Sequence, residues 1–338
     1  MTGDPLAGME LQERLREDEL QALITLVELA EPIETPNNNS YRFHPATIAD
    51  AKTYFRRFAL ELSPAWRDLG VKGLVHGQGD LPHLTELGRA LAREIRVLRP
   101  PIWYWYSDFY AAIEGSTAFS TYAERVLGRD LSQHGFADVP QIERLVSALK
   151  LGPSSRVLDT GCGNGRIAEY VSDSTGARVT GVDYVPRAIA QAIHRARPKS
   201  DRLRFVVANL DTLELPRGSF DVVVSVDSIF FGRDLEETLK RLAALLAPGG
   251  RMGILCGCDL SPALRSLDLE HDETVLDREH YEHLKRKRRV ASELRPLFER
   301  EGIAFVWENL MAESIDDTAP FDPGSESFRR RLSVVRLR

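Results

Sequence analysis

The segment Asp159-Thr160-Gly161-Cys162-Gly163-Asn164-Gly165 follows the apolar Val157-Leu158 and leads into an amphipathic stretch from Arg166. Glycines so placed allow a tight turn and let the backbone approach a ligand closely at the carboxyl end of a strand. The dinucleotide fingerprint G-x-G-x-x-G asks for a third glycine after two intervening residues, and Asn164-Gly165-Arg166 does not supply that frame. A carboxylate at Asp159 would also repel a pyrophosphate, whereas it can orient the loop or, through water, meet an ammonium group. Asp183, at the end of Gly181-Val182-Asp183-Tyr184, can accept from both hydroxyls of a ribose. Asn209 can pair with an adenine edge while Leu210 covers its face, and Val226-Asp227-Ser228 would close the pocket beneath. An adenosine-bearing ligand fits these positions.

Such residues need a parallel sheet to bring them to one edge. From Arg156 onward, β-rich runs (RVLD, ARVTGVD, LRFVVAN, FDVVVSVD, RMGILCG) alternate with helical stretches, the pattern of βαβ units. Ile303–Met311 and Arg329–Arg338 read as two more strands, giving seven. The expected fold is α/β, a Rossmann-like, mostly parallel seven-stranded sheet, with a mainly helical N-terminal domain. In the first hundred residues, Leu11, Leu15, Leu20, Leu23, Val27 and Ala30 share a helix side. A short strand at Tyr41–His44, a helix over 47–62 carrying Tyr54, Phe55 and Phe58 inward, a hairpin-like stretch over 70–79 and a helix over 84–98 follow. This order looks winged-helix-like. The domain reading is 1–100 winged-helix-like, 101–150 helical linker and cofactor lid, and 151–338 the α/β domain, with a boundary at Arg99-Pro100-Pro101.

Over residues 115–260 the chain resembles the class I S-adenosylmethionine-dependent methyltransferases. The resemblance rests on Asp159-x-Gly161-x-Gly163-x-Gly165, the acid at Asp183, and Leu246-Ala247-Pro248-Gly249-Gly250-Arg251 before the fifth strand. It implies S-adenosyl-L-methionine as cofactor, with the glycine loop and Cys162 around its methionine part, Asp183 and Tyr184 at the ribose, and Asn209 and Leu210 at the adenine. Asn209 replaces the commoner aspartate. It further implies a lid before the sheet, for which Ser120, Tyr122, Gln133 and His134 are candidates. The activity expected is methyl transfer to a small-molecule or peptide O, N or C nucleophile, with His134, Asp227 or a tyrosine of 104–110 as the base if one is needed. The alternatives are a ligand-sensing DNA-binding regulator and a non-methylating reaction such as cyclisation.

Composition narrows the partners. The net charge is −6, and residues 1–100 carry 12 Lys+Arg against 15 Asp+Glu, a poor balance for nucleic acid. Dimerisation, as a homodimer, or roofing of the active site is the expected work of that domain. No apolar run approaches a membrane span, and the start lacks a signal-peptide pattern, so a cytoplasmic protein is expected. Cys256-x-Cys258 reads as core or pocket wall, with no metal expected. The Trp103–Tyr110 cluster reads as core between domains, while His271, His280, His283 and the run Lys285–Arg289 read as solvated helix positions.

Overall fold

Apolar periodicity and glycine punctuation set the element order in the computed structural model, which describes residues 15–31, 51–77, 79–98, 103–323, 325 and 329–336. The chain divides into two units, Met1–Asp108 and Phe109–Arg338.

The first unit holds helices α1 (Glu17–Ala30), α2 (Ala51–Glu61), α3 (Trp66–Val71) and α4 (Glu86–Leu98). Strands β1 (Val75–His76) and β2 (His83–Leu84) pair antiparallel between α3 and α4. Leu20, Leu23, Ile24 and Val27 recur at helical spacing and are buried where α1 packs on α2 and α4. Tyr104 meets the Phe55 and Phe58 rings edge-on, and its hydroxyl lies 2.7 Å from Thr25 Oγ1. The expected strand at Tyr41–His44, the boundary at Arg99-Pro100-Pro101, Leu11 and the side chain of Tyr54 lie outside what is described.

The second unit takes up Phe109–Ile113 of α5 (Trp103–Ile113), then α6 (Thr117–Leu127) and α7 (Val139–Leu149). An alternating series follows: β3 (Arg156–Thr160), α8 (Arg166–Thr175), β4 (Arg178–Asp183), α9 (Pro186–Ala196), β5 (Leu203–Val207), β6 (Phe220–Val226), α10 (Leu235–Leu245) and β7 (Leu246–Cys256). It is completed by α11 (Ser261–Ser266), β8 (Glu270–Val275), α12 (Asp277–Arg300), α13 (Ala304–Ala312) and β9 (Arg331–Arg336). The sheet order is β5-β4-β3-β6-β7-β9-β8. Neighbours from β5 to β7 run parallel, and β9 is antiparallel to both β7 and β8. Successive residues of the central strands face opposite layers. Val157, Val179, Val222 and Val224 pack with Ile142, Leu145, Val171 and Ile189, whereas Leu158, Val182, Val223 and Ile254 pack with Leu239, Leu242 and Leu264.

The seven-stranded sheet matches the expectation, but its strand roster does not. Ile303–Met311 is not a strand: Ala304–Ala312 is helical, and Val306, Asn309 and Leu310 bury one helical face as α13 packs on α12. The sixth strand is instead β8, the polar EHDETV, an exposed edge strand held by its antiparallel pairing with β9. Among the described residues, no helix is long and apolar enough to cross a membrane.

Candidate active site

The strand order reverses between β3 and β6, the place where an open α/β sheet leaves a crevice at its carboxyl edge. The glycine loop leaves β3 at this point. Gly161 (φ +67) and Gly163 (φ +55) adopt left-handed backbone that favours glycine. A Cβ on Gly161 would run into the Ser228 side chain just beyond β6, and one on Gly163 would run into the Tyr110 hydroxyl. Gly165 starts α8, and a Cβ there would meet the Phe205 ring. Cys162 is buried in the loop, and burial pushes its thiol well above the usual range.

These contacts continue around the edge. Phe109, next to Tyr110, packs edge-on against His134 at 5.1 Å between ring centroids. Gly135 lies against the Asp227 side chain at the end of β6, and Asp227 adjoins Ser228, which touches Gly161. A closed circuit thus runs from Gly163 through Tyr110, Phe109, His134, Gly135, Asp227 and Ser228 back to Gly161.

Two acids face the loop from the sheet. Asp159 is 4% exposed, and its Oδ2 has no hydrogen-bond partner among the described residues. Burial, reinforced by the Asp183 charge, raises its pKa to about 7. Asp183 accepts from Gly163 N and Val185 N, each at 2.9 Å. Burial raises it to about 6 even though those backbone donors pull it down. A buried carboxylate oxygen lacking a donor, beside a loop whose three glycines leave no room for a Cβ, suits a ligand that brings cationic N–H groups.

Asn209 stands beside Asp183, since Ala208 N donates to Asp183 O at 2.9 Å. Its Oδ1 accepts from Asp211 N at 2.8 Å, capping the short turn that begins at Leu210. Tyr184 directly follows Asp183, and Val226 ends β6. Gln133 braces its own loop, accepting from Leu131 N at 2.9 Å and donating to Ala137 O at 3.5 Å. Tyr122 is buried in α6, where burial and the Glu313 charge push its hydroxyl well above its ordinary value. It belongs to the α12–α13 side, while Tyr110 is the tyrosine that meets the glycine loop.

Asp227 is tied down. Arg330, itself buried, pairs with both of its oxygens, and Phe136 N donates to Oδ2 at 2.8 Å. His134 lies 2.8 Å from Asn309 Oδ1 and 3.6 Å from Glu313 Oε1 through Nε2. Burial lowers its pKa, with Glu313 and Asn309 opposing. Lys287 donates to Glu313 Oε2 at 2.6 Å and lies over the Phe136 ring. The expectation of solvated positions on α12 fails at three residues: His280, His283 and Lys287 are buried, because α12 packs on α6 and α13. Burial lowers His280 to about 3 and shifts His283 in the same direction. Asn309, Glu313, Lys287 and Arg330 carried no sequence signal, since each gains its role from a partner distant in the chain.

Residues 157–250 match the family model described as a methyltransferase domain. The α/β unit thus contains a segment similar to that family. A segment of the chain is 30% identical to the 27-O-demethylrifamycin SV methyltransferase of Amycolatopsis mediterranei, covering 42% of this chain and 56% of that protein. Another is 32% identical to phosphoethanolamine N-methyltransferase 1 of Arabidopsis thaliana, covering 40% of this chain and 27% of that one. The matches therefore span about half or less of these relatives. Two solved structures share the fold at 17% identity, each over 68% of this chain. The [4+2]-cyclase SpnF aligns with a TM-score of 0.52 over 94% of its own chain. Phosphoethanolamine N-methyltransferase 2 of Haemonchus contortus, solved with phosphomonomethylethanolamine and S-adenosylhomocysteine, aligns with a TM-score of 0.50 over 59% of its chain.

Proposed function

We propose that this chain transfers a methyl group from S-adenosylmethionine to a small-molecule or peptide acceptor. The observation that carries this reading is the unpartnered, buried Asp159 oxygen beside the Gly161–Gly165 loop, at the sheet's switch point and within a matched methyltransferase domain. The cofactor supplies an already activated methyl group. In this reading the glycine loop and Cys162 border its methionine part, Asp159 faces the ammonium, Asp183 and Tyr184 serve the ribose, and Asn209 with Leu210 serves the adenine. Val226 and Asp227 form the floor; Gln133 and Tyr122 support the lid indirectly, by bracing the 131–137 loop and the α12–α13 side. Of the bases the sequence offers, His134 is better placed than Asp227, because Arg330 and Phe136 N already engage the Asp227 carboxylate.

Asp183→Ala should weaken binding of S-adenosylhomocysteine by more than ~1.4 kcal/mol, a tenfold effect, because the ribose loses a charged acceptor. Unchanged affinity by titration calorimetry would remove Asp183 from the site. Incubation with methyl-labelled S-adenosylmethionine and a metabolite pool separates methyl transfer from a cyclisation, which would leave the label on the donor.

The winged-helix-like reading of the first unit goes with a role in homodimer formation. Leu60, Val71 and Leu87 are exposed on it, and Val71 is 84% accessible. Leu60→Glu combined with Leu87→Glu should convert a dimer to monomers in sedimentation velocity; a wild-type protein that sediments as a monomer would end this role.

A further inference from the structure

We infer that Cys256 and Cys258 form a peroxide-sensitive modification site: Cys258 takes the oxidant, Cys256 closes a disulfide with it, and closure loosens the strand end that holds the backbone of Asp227. The inference goes beyond the methyl-transfer reading and does not depend on it.

Strand β7 ends at Cys256, and the chain bends through Gly257 and Cys258. Two residues of a fully extended chain span about 7 Å, the outer limit for the Cα atoms of a disulfide, and a bend shortens that span. Both side chains turn to one layer. Cys256 is buried in the cluster of Leu239, Leu242 and Ile254, while Cys258 is half-buried against it. The Cys256 thiol donates to Cys258 O at 3.7 Å. Gly257 between them is exposed, and a Cβ there would lie 3.1 Å from Arg329 O, so glycine suits the close approach of the bend to the residue that leads into β9. Among the described residues, no third His, Cys, Asp or Glu joins the pair as a metal-ligand set.

The two thiols divide the work. Interaction with Cys256 holds the Cys258 thiol below its ordinary range, at about 7, with Arg331 assisting while burial and Asp227 oppose. The same interaction, together with burial, pushes Cys256 up. A partly exposed thiol with a lowered pKa is the reactive one, whereas Cys162 is buried and raised. The Cys258 thiolate attacks a hydroperoxide oxygen, the O–O bond breaks, hydroxide leaves and Cys258 carries S–OH. The Cys256 sulfur then attacks the Cys258 sulfur and the S–O bond breaks, the Cys256 proton leaving with that hydroxide as water. The two sulfurs have lost the two electrons that the peroxide gained. Leu255, next to Cys256, accepts from Asp227 N at 2.9 Å. Drawing Cys256 towards Cys258 pulls on that carbonyl, at the strand end where Arg330 pairs with Asp227.

The test uses the full chain, treated with hydrogen peroxide near neutral pH and mapped by mass spectrometry. The peptide that holds Cys256 and Cys258 should lose the mass of two hydrogen atoms and regain it with dithiothreitol. Cys258→Ser should react on the order of tenfold more slowly than wild type. Cys256→Ala should stop at a sulfenic acid on Cys258, which dimedone traps. In the oxidised wild type the Asp227 amide should exchange its hydrogen several-fold faster by NMR, and return to the starting rate on reduction. First oxidation at Cys162, disulfides between chains, a Cys258 sulfinic acid without a disulfide, or an undiminished rate in Cys258→Ser overturns the proposal. So does an Asp227 amide that exchanges alike in both states. Calorimetry of the reduced protein with S-adenosylmethionine tests the methyl-transfer reading separately, and its failure leaves this site standing.

Discussion

Asp159→Asn should stabilise the ligand-free protein increasingly as pH rises. The folded-state pKa of Asp159 is raised from 3.8 to about 7, so across that window the folded protein holds a proton that the unfolded chain has released. The stability conferred by the protonated form is fully present below the unfolded value and is lost as pH rises through about 7. Asparagine resembles the protonated form at every pH. The two proteins should therefore unfold alike near the acidic end, and the variant should be more stable above neutrality. The gap should be on the order of 4 kcal/mol, since each pKa unit corresponds to about 1.4 kcal/mol. Urea unfolding at a series of pH values reads this difference directly. A constant gap, or one that shrinks as pH rises, would show that Asp159 is not forced to ionise in a buried place. If Asp159 faces the ammonium as proposed, the same variant should bind S-adenosylmethionine more weakly, and stability would then be held below its optimum for the sake of binding.

Arg330→Met should cost about 3–5 kcal/mol, the range for stripping one partner from a buried ion pair. Arg330 is 1% exposed, bridges to Asp227 and Gln141, and its backbone N–H donates to Asp277 at 2.7 Å. Removing the guanidinium leaves a carboxylate below 10% exposed beside the glycine loop. Adding Asp227→Asn to Arg330→Met should recover part of the loss, because the stranded charge disappears. A cost below about 1 kcal/mol, the scale of an exposed pair, would show that water reaches Asp227.

The glycine loop and the two acids of the candidate site were legible because they are local. Val157-Leu158 marks a strand, the glycines mark its turn, and the second acid marks the end of the next strand, all within a short stretch read by backbone geometry. The sheet was legible for the same reason through its five parallel strands. The errors lie where tertiary contacts decide. Glu270–Val275 is too polar to announce a strand, and only pairing with β9 makes it one. Ile303–Met311 is rich in β-formers, yet packing on α12 selects the helical period. His280, His283 and Lys287 read as solvated because helical charge runs usually are; their partners Phe136, Asp138 and Glu313 come from elsewhere in the chain.

The position of β9 has a consequence in time. It lies between β7 and β8, so β8 emerges from the ribosome before the strand it pairs with exists, and β7 keeps an open edge for as long. Arg330 stands immediately before β9 and reaches Asp227 only when that strand docks. The glycine loop, by contrast, depends on β3 to β6, which are made earlier. A growing chain can therefore assemble the glycine loop while Asp227 still lacks its partner Arg330. Chains cut short before β9 would expose a pairing edge of β7 and leave Asp227 uncompensated, a species suited to aggregation or degradation rather than to partial activity.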